Sequence, residues 1–114
     1  MRTDRQRIRD ILRAIEQIES EVSVDEKDSF QSDEKLQVWV VHHLQIIGEA
    51  CRKLSDKLKR QHPELPWKQI IGMRHYLVHE YFRVDINTTW NVVVNDLSDL
   101  RTKIEAIEES FDSQ

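Results

Sequence analysis

Apolar residues recur at steps of three and four along most of the chain, and this spacing is typical of amphipathic α-helices. The first run follows Thr3, which forms a capping box with Gln6 at the predicted start of a helix. The apolar stripe of this helix consists of Ile8, Ile11, Ile15, Ile18 and Val22. Residues 23–31 are then predicted to form a polar loop that carries Phe30.

A second, longer run begins near Ser32, which we assign as the N-cap because Asp33 and Glu34 follow it at the positive end of the helix dipole. Its stripe consists of Leu36, Val40, His43, Ile47, Ala50 and Leu54. We expect this helix to continue almost to Pro63 and to end near Arg60 or Gln61.

Proline marks the start of the next part of the chain, with Pro66 suited to the first helical position. Residues 67–82 are predicted to form one or two shorter helices, with Gly72 as a candidate break. Asp85 is the predicted N-cap of the last helix. The stripe of that helix alternates by four and three through Ile86, Trp90, Val93, Leu97, Leu100, Ile104, Ile107 and Phe111.

These patterns predict an all-α protein, an up-and-down bundle of four or five helices. The two locally β-prone runs, 38–41 and 92–94, both lie inside longer helical patterns, so we assign them to helices. No linker or repeat divides the chain, and 114 residues suit one domain, which we expect to span 1–114.

Composition and charge narrow the possible functions. The net charge of −4 argues against a general nucleic-acid coat protein. Residues 52–83, however, contain eight basic and three acidic side chains, which leaves the remainder of the chain strongly acidic. A localised basic region suits an anionic ligand, although charge alone is equally compatible with an ordinary solvated helix face.

Location and redox chemistry are also constrained. The N-terminus is charged from Arg2 onward, no apolar run is long enough to cross a bilayer, and no signal-peptide core is present. We therefore expect a cytoplasmic protein without a membrane partner. The single cysteine, Cys51, excludes an internal disulfide framework and is predicted to be a small buried side chain.

Candidate chemistry is concentrated in residues 74–82. Arg74 provides a planar, permanently charged fork that matches a phosphate, and the imidazoles of His75 and His79 can transfer protons near neutral pH. RNA carries its own nucleophile in the ribose 2′-hydroxyl, so such a set could cleave RNA without a metal ion or other cofactor.

Helix geometry limits how these groups can meet. On an ideal helix Arg74 and His79 lie about 140° apart around the axis, whereas Arg74 and Tyr81 lie within about 20°. A single straight helix would therefore assemble the site poorly. Either the helix is distorted near its end or two copies meet in a two-fold homodimer, and we favour the homodimer.

The spacing of Arg74, His79 and Tyr81 resembles the motif of HepT-like proteins in the HEPN superfamily, which is Arg, four residues, His, any residue and Tyr. The flanking segments resemble the family in the same order along the chain, namely Ile47-Gly48-Glu49-Ala50, Leu65-Pro66-Trp67, and Val84-Asp85 followed by Trp90. One departure is His75, where the family more often has Asn, and this leaves open whether His75 takes part in proton transfer.

The resemblance implies a homodimeric, metal-independent endoribonuclease that acts as the toxin of a toxin–antitoxin pair, with tRNA as one possible substrate. Arg74 and His79 would be the catalytic residues, and His75 and Tyr81 would line the site. The implied partner is an MntA-like minimal nucleotidyltransferase antitoxin, which would transfer AMP to Tyr81. No cofactor and no metal are implied.

Each of these residues could instead have a structural role. Arg74 could form a salt bridge with Glu49 or Glu80, and Gly48 could simply permit a close helix crossing, since glycine inside a helix costs about 1 kcal/mol relative to alanine. His75 and His79 have the spacing of two metal ligands but lack an evident third. The whole chain could be a catalytically silent binding partner of a nucleotidyltransferase, or a structural helical dimer. His43 is predicted to be a core histidine.

Overall fold

The computed structural model describes residues 2–80 and 84–112, which form helices and turns without any strand. Its helices are α1 (Asp4–Glu21), α2 (Lys27–Ser32), α3 (Glu34–Lys53), α4 (Asp56–Gln61), α5 (Trp67–His79), α6 (Ile86–Asn91) and α7 (Leu97–Asp112). A π-helical segment, Val92–Asp96, joins α6 to α7 without a break, so that the last three segments form one long helix. The predicted all-α bundle is confirmed.

Helix α3 is central to the bundle, because it packs against α1 on one side and α5 on the other, while α7 also packs against α1. The predicted apolar stripes form the core between these helices. Fully or almost fully buried members include Ile8, Ile11, Ile15 and Ile18 of α1, Val40 and Ile47 of α3, and Leu97, Ile104 and Ile107 of the last helix.

The prediction of a loop over residues 23–31 was wrong, because Lys27–Ser32 forms the short helix α2. Phe30 anchors this helix, since its side chain is fully buried and its ring centroid lies 5.3 Å from that of Trp90. The N-cap of α3 is Asp33 rather than Ser32, and the Asp33 carboxylate accepts from the backbone N–H of Leu36 at 3.0 Å. Ser32 instead closes α2, where its hydroxyl donates to the carbonyl of Asp28.

The prediction that the second long helix reaches Arg60 or Gln61 was also wrong. Helix α3 ends at Lys53, since the backbone of Leu54 is extended (φ −60°, ψ 148°), and a separate helix α4 starts after Ser55. The Ser55 hydroxyl accepts from the N–H of Leu58, which caps α4. The carboxylate of Asp4 accepts from both the N–H and the hydroxyl of Ser55, at 2.9 and 2.6 Å, and so ties this break to the start of α1.

Helix α5 is continuous through Gly72, which is therefore not a break. Pro66, expected at the first helical position, is the residue just before it. Asp85 is confirmed as the N-cap of the last helix, and its carboxylate accepts from the N–H of Asn87 at 2.9 Å. The capping box of Thr3 and Gln6 is likewise confirmed.

Cys51 is buried, as predicted, and burial raises the pKa of its thiol to about 12, so this thiol stays protonated at neutral pH. Among residues 2–80 and 84–112, no helix is both long and apolar enough to pass through a lipid bilayer.

Candidate active site

The close crossing of α3 and α5 places Arg74 against α3. A Cβ atom added to Gly48 would lie 2.2 Å from the Cβ of Arg74 and 3.3 Å from its Cα. Real Cβ atoms do not approach side chains so closely, so the two helices can meet here only because residue 48 is glycine. This confirms the predicted crossing and explains why the helix tolerates glycine at this position.

Glu49, the residue after Gly48, holds the Arg74 side chain. The Nε atom of Arg74 lies 2.9 Å from Oε2 of Glu49, and both side chains are 30% exposed. Arg52 and Lys53 also contact the same carboxylate, at 2.7 and 3.3 Å. The hydrogen bond from Arg52, helped by Lys53 and Arg74 and opposed by burial, lowers the pKa of Glu49 to about 2. Glu49, rather than Glu80, is thus the acidic partner of Arg74.

Arg74 also lines a surface groove of about 290 Å³ between α1, α3 and α5, which we call the Arg74 groove. Helix α1 contributes Arg7, and α3 contributes His42, Glu49 and Lys53. Arg7, Lys53 and Arg74 are cationic, and the Nε atom of Arg74 contacts Glu49. These positive charges could bind an anion in the groove.

His75 and His79 are exposed one turn apart on α5, with ring centroids separated by 4.2 Å. Neither of them lines the Arg74 groove. Within one chain the structure therefore brings the two histidines together but not into the groove that contains Arg74. His79 is expected to lie about 140° from Arg74 around the helix axis. The fourth predicted site residue, Tyr81, lies outside the described residues.

The chemistry available to this helix follows from those positions. Exposed imidazoles can exchange protons with a bound ligand or with water, and a guanidinium can neutralise a phosphate. Although the spacing of His75 and His79 also suits a metal pair, no group of three or more His, Cys, Asp or Glu side chains in the described part of the chain is placed to hold a metal ion.

Sequence reasoning overlooked His42 and Arg7 as groove residues. His42 is exposed and lies seven residues before Glu49, and Lys53 follows Glu49 by four. That spacing puts all three side chains on one face of α3, so the helical period could have identified His42. Arg7 could not have been found in this way, because its position depends on how α1 packs against α3.

His43, by contrast, is the core histidine that its place in the stripe predicted. Its side chain is 8% exposed, its Nδ1 atom lies 2.8 Å from the carbonyl oxygen of Trp39, and its ring packs against the Trp39 indole. Trp67 and Trp90 are buried anchors, whereas Trp39 remains partly exposed.

The helical bundle, with an arginine on a close crossing and exposed histidines on the same helix, defines a HEPN-like α-helical domain. The family model described as "Ribonuclease HepT-like" matches residues 11–107. The chain therefore belongs to the HepT-like ribonuclease family, and this membership supports an RNase.

Individual relatives agree with this assignment. A protein of Thermococcus cleftensis named probable ribonuclease HepT is 38% identical over 106 residues, which cover 93% of this chain and 96% of that protein. Two others have names that include a putative RNase. The one from Caldanaerobacter subterraneus subsp. tengcongensis is 33% identical over 94% of this chain and 96% of its own length. The other, from Methanocaldococcus jannaschii, is also named a gamma-glutamylcyclotransferase; it is 36% identical over 90% of this chain, which spans 46% of that longer protein. No solved structure matches the chain significantly.

Proposed function

We propose that the protein is a metal-independent endoribonuclease that uses Arg74 and His79. The observation that carries this proposal is the position of the Arg74 guanidinium. Glu49 contacts it at Nε, and it lines an open groove. The same helix, α5, also exposes His79. The ribose 2′-hydroxyl would attack the adjacent phosphorus, and the 5′-oxygen of the next nucleotide would leave. His79 would accept the proton of the nucleophile or supply one to the leaving oxygen, while Arg74 neutralises the phosphate. His75 and Tyr81 would orient it.

We also propose that the working enzyme is a homodimer whose site combines Arg74 of one chain with His79 of the other. The separation of these residues on two faces of α5 supports this arrangement, because one chain does not bring them to one groove. An exposed apolar side chain beside Arg74 also favours a partner. Val78 lines the Arg74 groove and is 40% exposed, and such a residue gains stability when a second copy covers it.

The dimer and the reaction can be tested together with paired variants. His79→Ala and Arg74→Ala should each abolish RNA cleavage in the presence of a metal chelator, while light scattering still finds a dimer. The control is His62→Ala, since His62 lies before α5 and contacts Glu64 instead. If the site is composite, mixing the two inactive variants restores cleavage, because each mixed dimer then contains one intact site.

Three results would contradict the proposal. Full cleavage by the His79→Ala variant would exclude the assigned chemistry. A mixture of the two inactive variants that exchanges subunits but stays inactive would show that Arg74 and His79 act within one chain. Harmless expression of the wild-type chain without RNA cleavage would favour the silent binding partner instead.

The biological role that we propose is the toxin of a toxin–antitoxin pair, with a minimal nucleotidyltransferase of the MntA-like type as the antitoxin. Transfer of AMP to the hydroxyl of Tyr81, with release of pyrophosphate from ATP, would place bulk and negative charge two residues from His79. The added phosphate would repel an RNA backbone from this surface, which explains how such a modification could neutralise the enzyme.

Intact mass measurement tests that regulation. Chain expressed with its nucleotidyltransferase should gain mass in whole AMP units, fragmentation should locate them on Tyr81, and cleavage should be lost. The variant Tyr81→Phe should stay unmodified. The control is Tyr76→Phe, since the Tyr76 hydroxyl already accepts from the N–H of Asp85 at 3.0 Å and is not the motif tyrosine. Modification at another residue, or none, would refute this mode of neutralisation.

A further inference from the structure

Arg7 is a cationic residue of the Arg74 groove that has no role in the proposed reaction. Three neighbouring arginines on the N-terminal segment and α1 have acidic partners: Arg2 pairs with Asp10, Arg5 with Asp112, and Arg9 with Glu108. Arg7 is half-buried and lines the groove, yet it forms no ion pair with any residue in 2–80 or 84–112. A partly buried guanidinium without a counter-ion is costly, and a bound anion would relieve that cost.

The surroundings of Arg7 do not supply that anion. Of the two carboxylates that line the groove, Asp10 is held by both Nε and Nη2 of Arg2, and Glu49 is shared among three cations. The groove is lined by three cations, Arg7, Lys53 and Arg74, and by these two carboxylates. The groove lining therefore carries one net positive charge, although the net charge of the chain is −4.

We propose that Arg7 and Lys53 form a second phosphate subsite, which binds a phosphate of the RNA strand next to the one held by Arg74. This inference rests on the proposed RNase function and specifies how its substrate is held. Lys53 suits the role because its ammonium contacts Glu49 at 3.3 Å, a partly exposed ion pair that a phosphate can readily replace. At about 290 Å³, the groove lies near the lower limit for ligand pockets, so it fits a nucleotide-sized piece of single strand rather than a duplex.

A subsite of this kind predicts dependence on strand length. A dinucleotide has one phosphodiester, which Arg74 can bind alone, whereas a longer strand can also reach Arg7 and Lys53. Losing one phosphate contact should lower the slope of log affinity against log salt by about 0.7 for a single strand. The effect of removing Arg7 should therefore appear with the long strand and be absent with the short one.

The experiment uses the full chain and 2′-O-methyl oligouridylates, which keep their phosphates but cannot be cleaved because their nucleophile is blocked. Fluorescence anisotropy would measure the binding of an octanucleotide and a dinucleotide over a range of salt concentrations. Arg7→Gln should bind the octanucleotide about tenfold more weakly, as expected for loss of a charged hydrogen bond, with the lower slope. Its affinity for the dinucleotide should not change.

Two further variants separate charge from folding. Arg9→Gln is the matched control, because Arg9 is on α1, is 71% exposed, does not line the groove and pairs with Glu108. It should bind both strands like the wild type. Arg7→Lys keeps the charge and should restore the wild-type slope, and thermal unfolding of Arg7→Gln should confirm that the variant is folded.

The outcomes distinguish this inference from the proposed function. If the wild-type chain cleaves RNA but Arg7→Gln binds the octanucleotide with wild-type affinity and slope, the second subsite is wrong and the RNase assignment stands. If Arg7→Gln and Arg9→Gln weaken binding equally, the effect is one of general charge and the subsite is again wrong. If the wild type neither binds nor cleaves RNA, both proposals fail.

Discussion

Gly48 and Arg74 meet where α3 crosses α5, and an added Cβ at residue 48 would lie 2.2 Å from the Cβ and 2.9 Å from the Cγ of Arg74. The atoms nearest to the glycine belong to the base of the arginine side chain, which cannot swing away as its end could. The position of the proposed phosphate-binding guanidinium is therefore set by the absence of a side chain on the neighbouring helix.

Replacing Gly48 with alanine should therefore destabilise the fold. Alanine favours a helix by about 1 kcal/mol over glycine, but overpacking at a crossing typically costs about 1–3 kcal/mol. Because the clash involves atoms close to the backbone, we expect the cost to exceed the gain, with a net loss of about 1 kcal/mol in the free energy of unfolding and a loss of RNA cleavage. Urea unfolding measures the first and a cleavage assay the second.

Gly72 provides the matched control, because it lies inside α5 and an added Cβ would meet nothing within 4 Å. Gly72→Ala should raise the free energy of unfolding by up to about 1 kcal/mol through helix preference alone. A Gly48→Ala variant as stable as Gly72→Ala would show that the two helices can separate at little cost.

The features that could be predicted from the sequence are those that depend on local spacing. The apolar stripes, the caps at Thr3 and Asp85, and the close approach at Gly48 all depend on residues a few positions apart or on one unusual residue. The features that were missed depend on distant partners. Helix α3 ends early partly because Asp4 binds Ser55, and α2 forms where Phe30 reaches Trp90. The π-helical segment 92–96 also has no local signal in the sequence.

The same distinction holds at the candidate site. The residue types of Arg74, His75 and His79 led to the chemistry proposed above. Helix geometry indicated that one chain would not place Arg74 and His79 on one face, and His79 does not line the groove that contains Arg74. Arg7 reaches the groove through the packing of α1 against α3, so its position could not be predicted from the sequence. The position of His42 follows the helical period and could have been predicted, but it was overlooked.

The break between α3 and α4 leads to a second stability prediction. The Ser55 hydroxyl both caps α4 and donates to Asp4, so Ser55→Ala should lower the free energy of unfolding by about 1–2 kcal/mol. Ser20→Ala is the control, because the exposed Ser20 hydroxyl donates only to the carbonyl of Gln17 near the end of α1. Its effect should stay within about 0.5 kcal/mol. Equal effects in thermal unfolding would mean that the cap contributes little.

The adjacent histidines of α3 should respond differently to substitution. His43 is buried and bonded to the carbonyl of Trp39, so His43→Ala should cost about 2 kcal/mol of stability through the cavity and the lost hydrogen bond. His42 is exposed and lines the Arg74 groove, so His42→Ala should leave stability nearly unchanged but weaken RNA binding or cleavage. Thermal unfolding and cleavage assays on both variants test this contrast. It would be contradicted if His43→Ala were as stable as His42→Ala.

Glu49 should control how well Arg74 is positioned. In Glu49→Gln the amide keeps the shape of the side chain but loses the charge that holds Arg74, Arg52 and Lys53 together. We expect a slower maximal cleavage rate with a smaller change in the Michaelis constant, because the guanidinium would still be present but less well oriented. Arg52→Gln is the comparison, since it removes another partner of Glu49 and leaves the Arg74 contact in place. Equal rates for wild type and Glu49→Gln would exclude a positioning role.

The free energy of unfolding at acidic pH should also depend on the ionisation of Glu49. Its pKa is lowered from 4.5 to about 2 in the folded chain, mainly by the hydrogen bond from Arg52. A lowered pKa means that the folded state favours the ionised carboxylate. The stabilisation of the fold by ionised Glu49 is therefore fully present above about pH 4.5 and is lost as the pH falls toward 2.

The variant Glu49→Gln cannot titrate at this position. The difference in free energy of unfolding between the wild type and this variant should therefore be constant near neutral pH and shrink steadily between about pH 4.5 and 2. Urea unfolding across this range measures that difference, and subtraction removes the effects of the other carboxylates that the two proteins share. A difference that stays constant down to the lowest pH would mean that the cluster around Glu49 does not hold its charge, and Glu49 could not then be what positions Arg74.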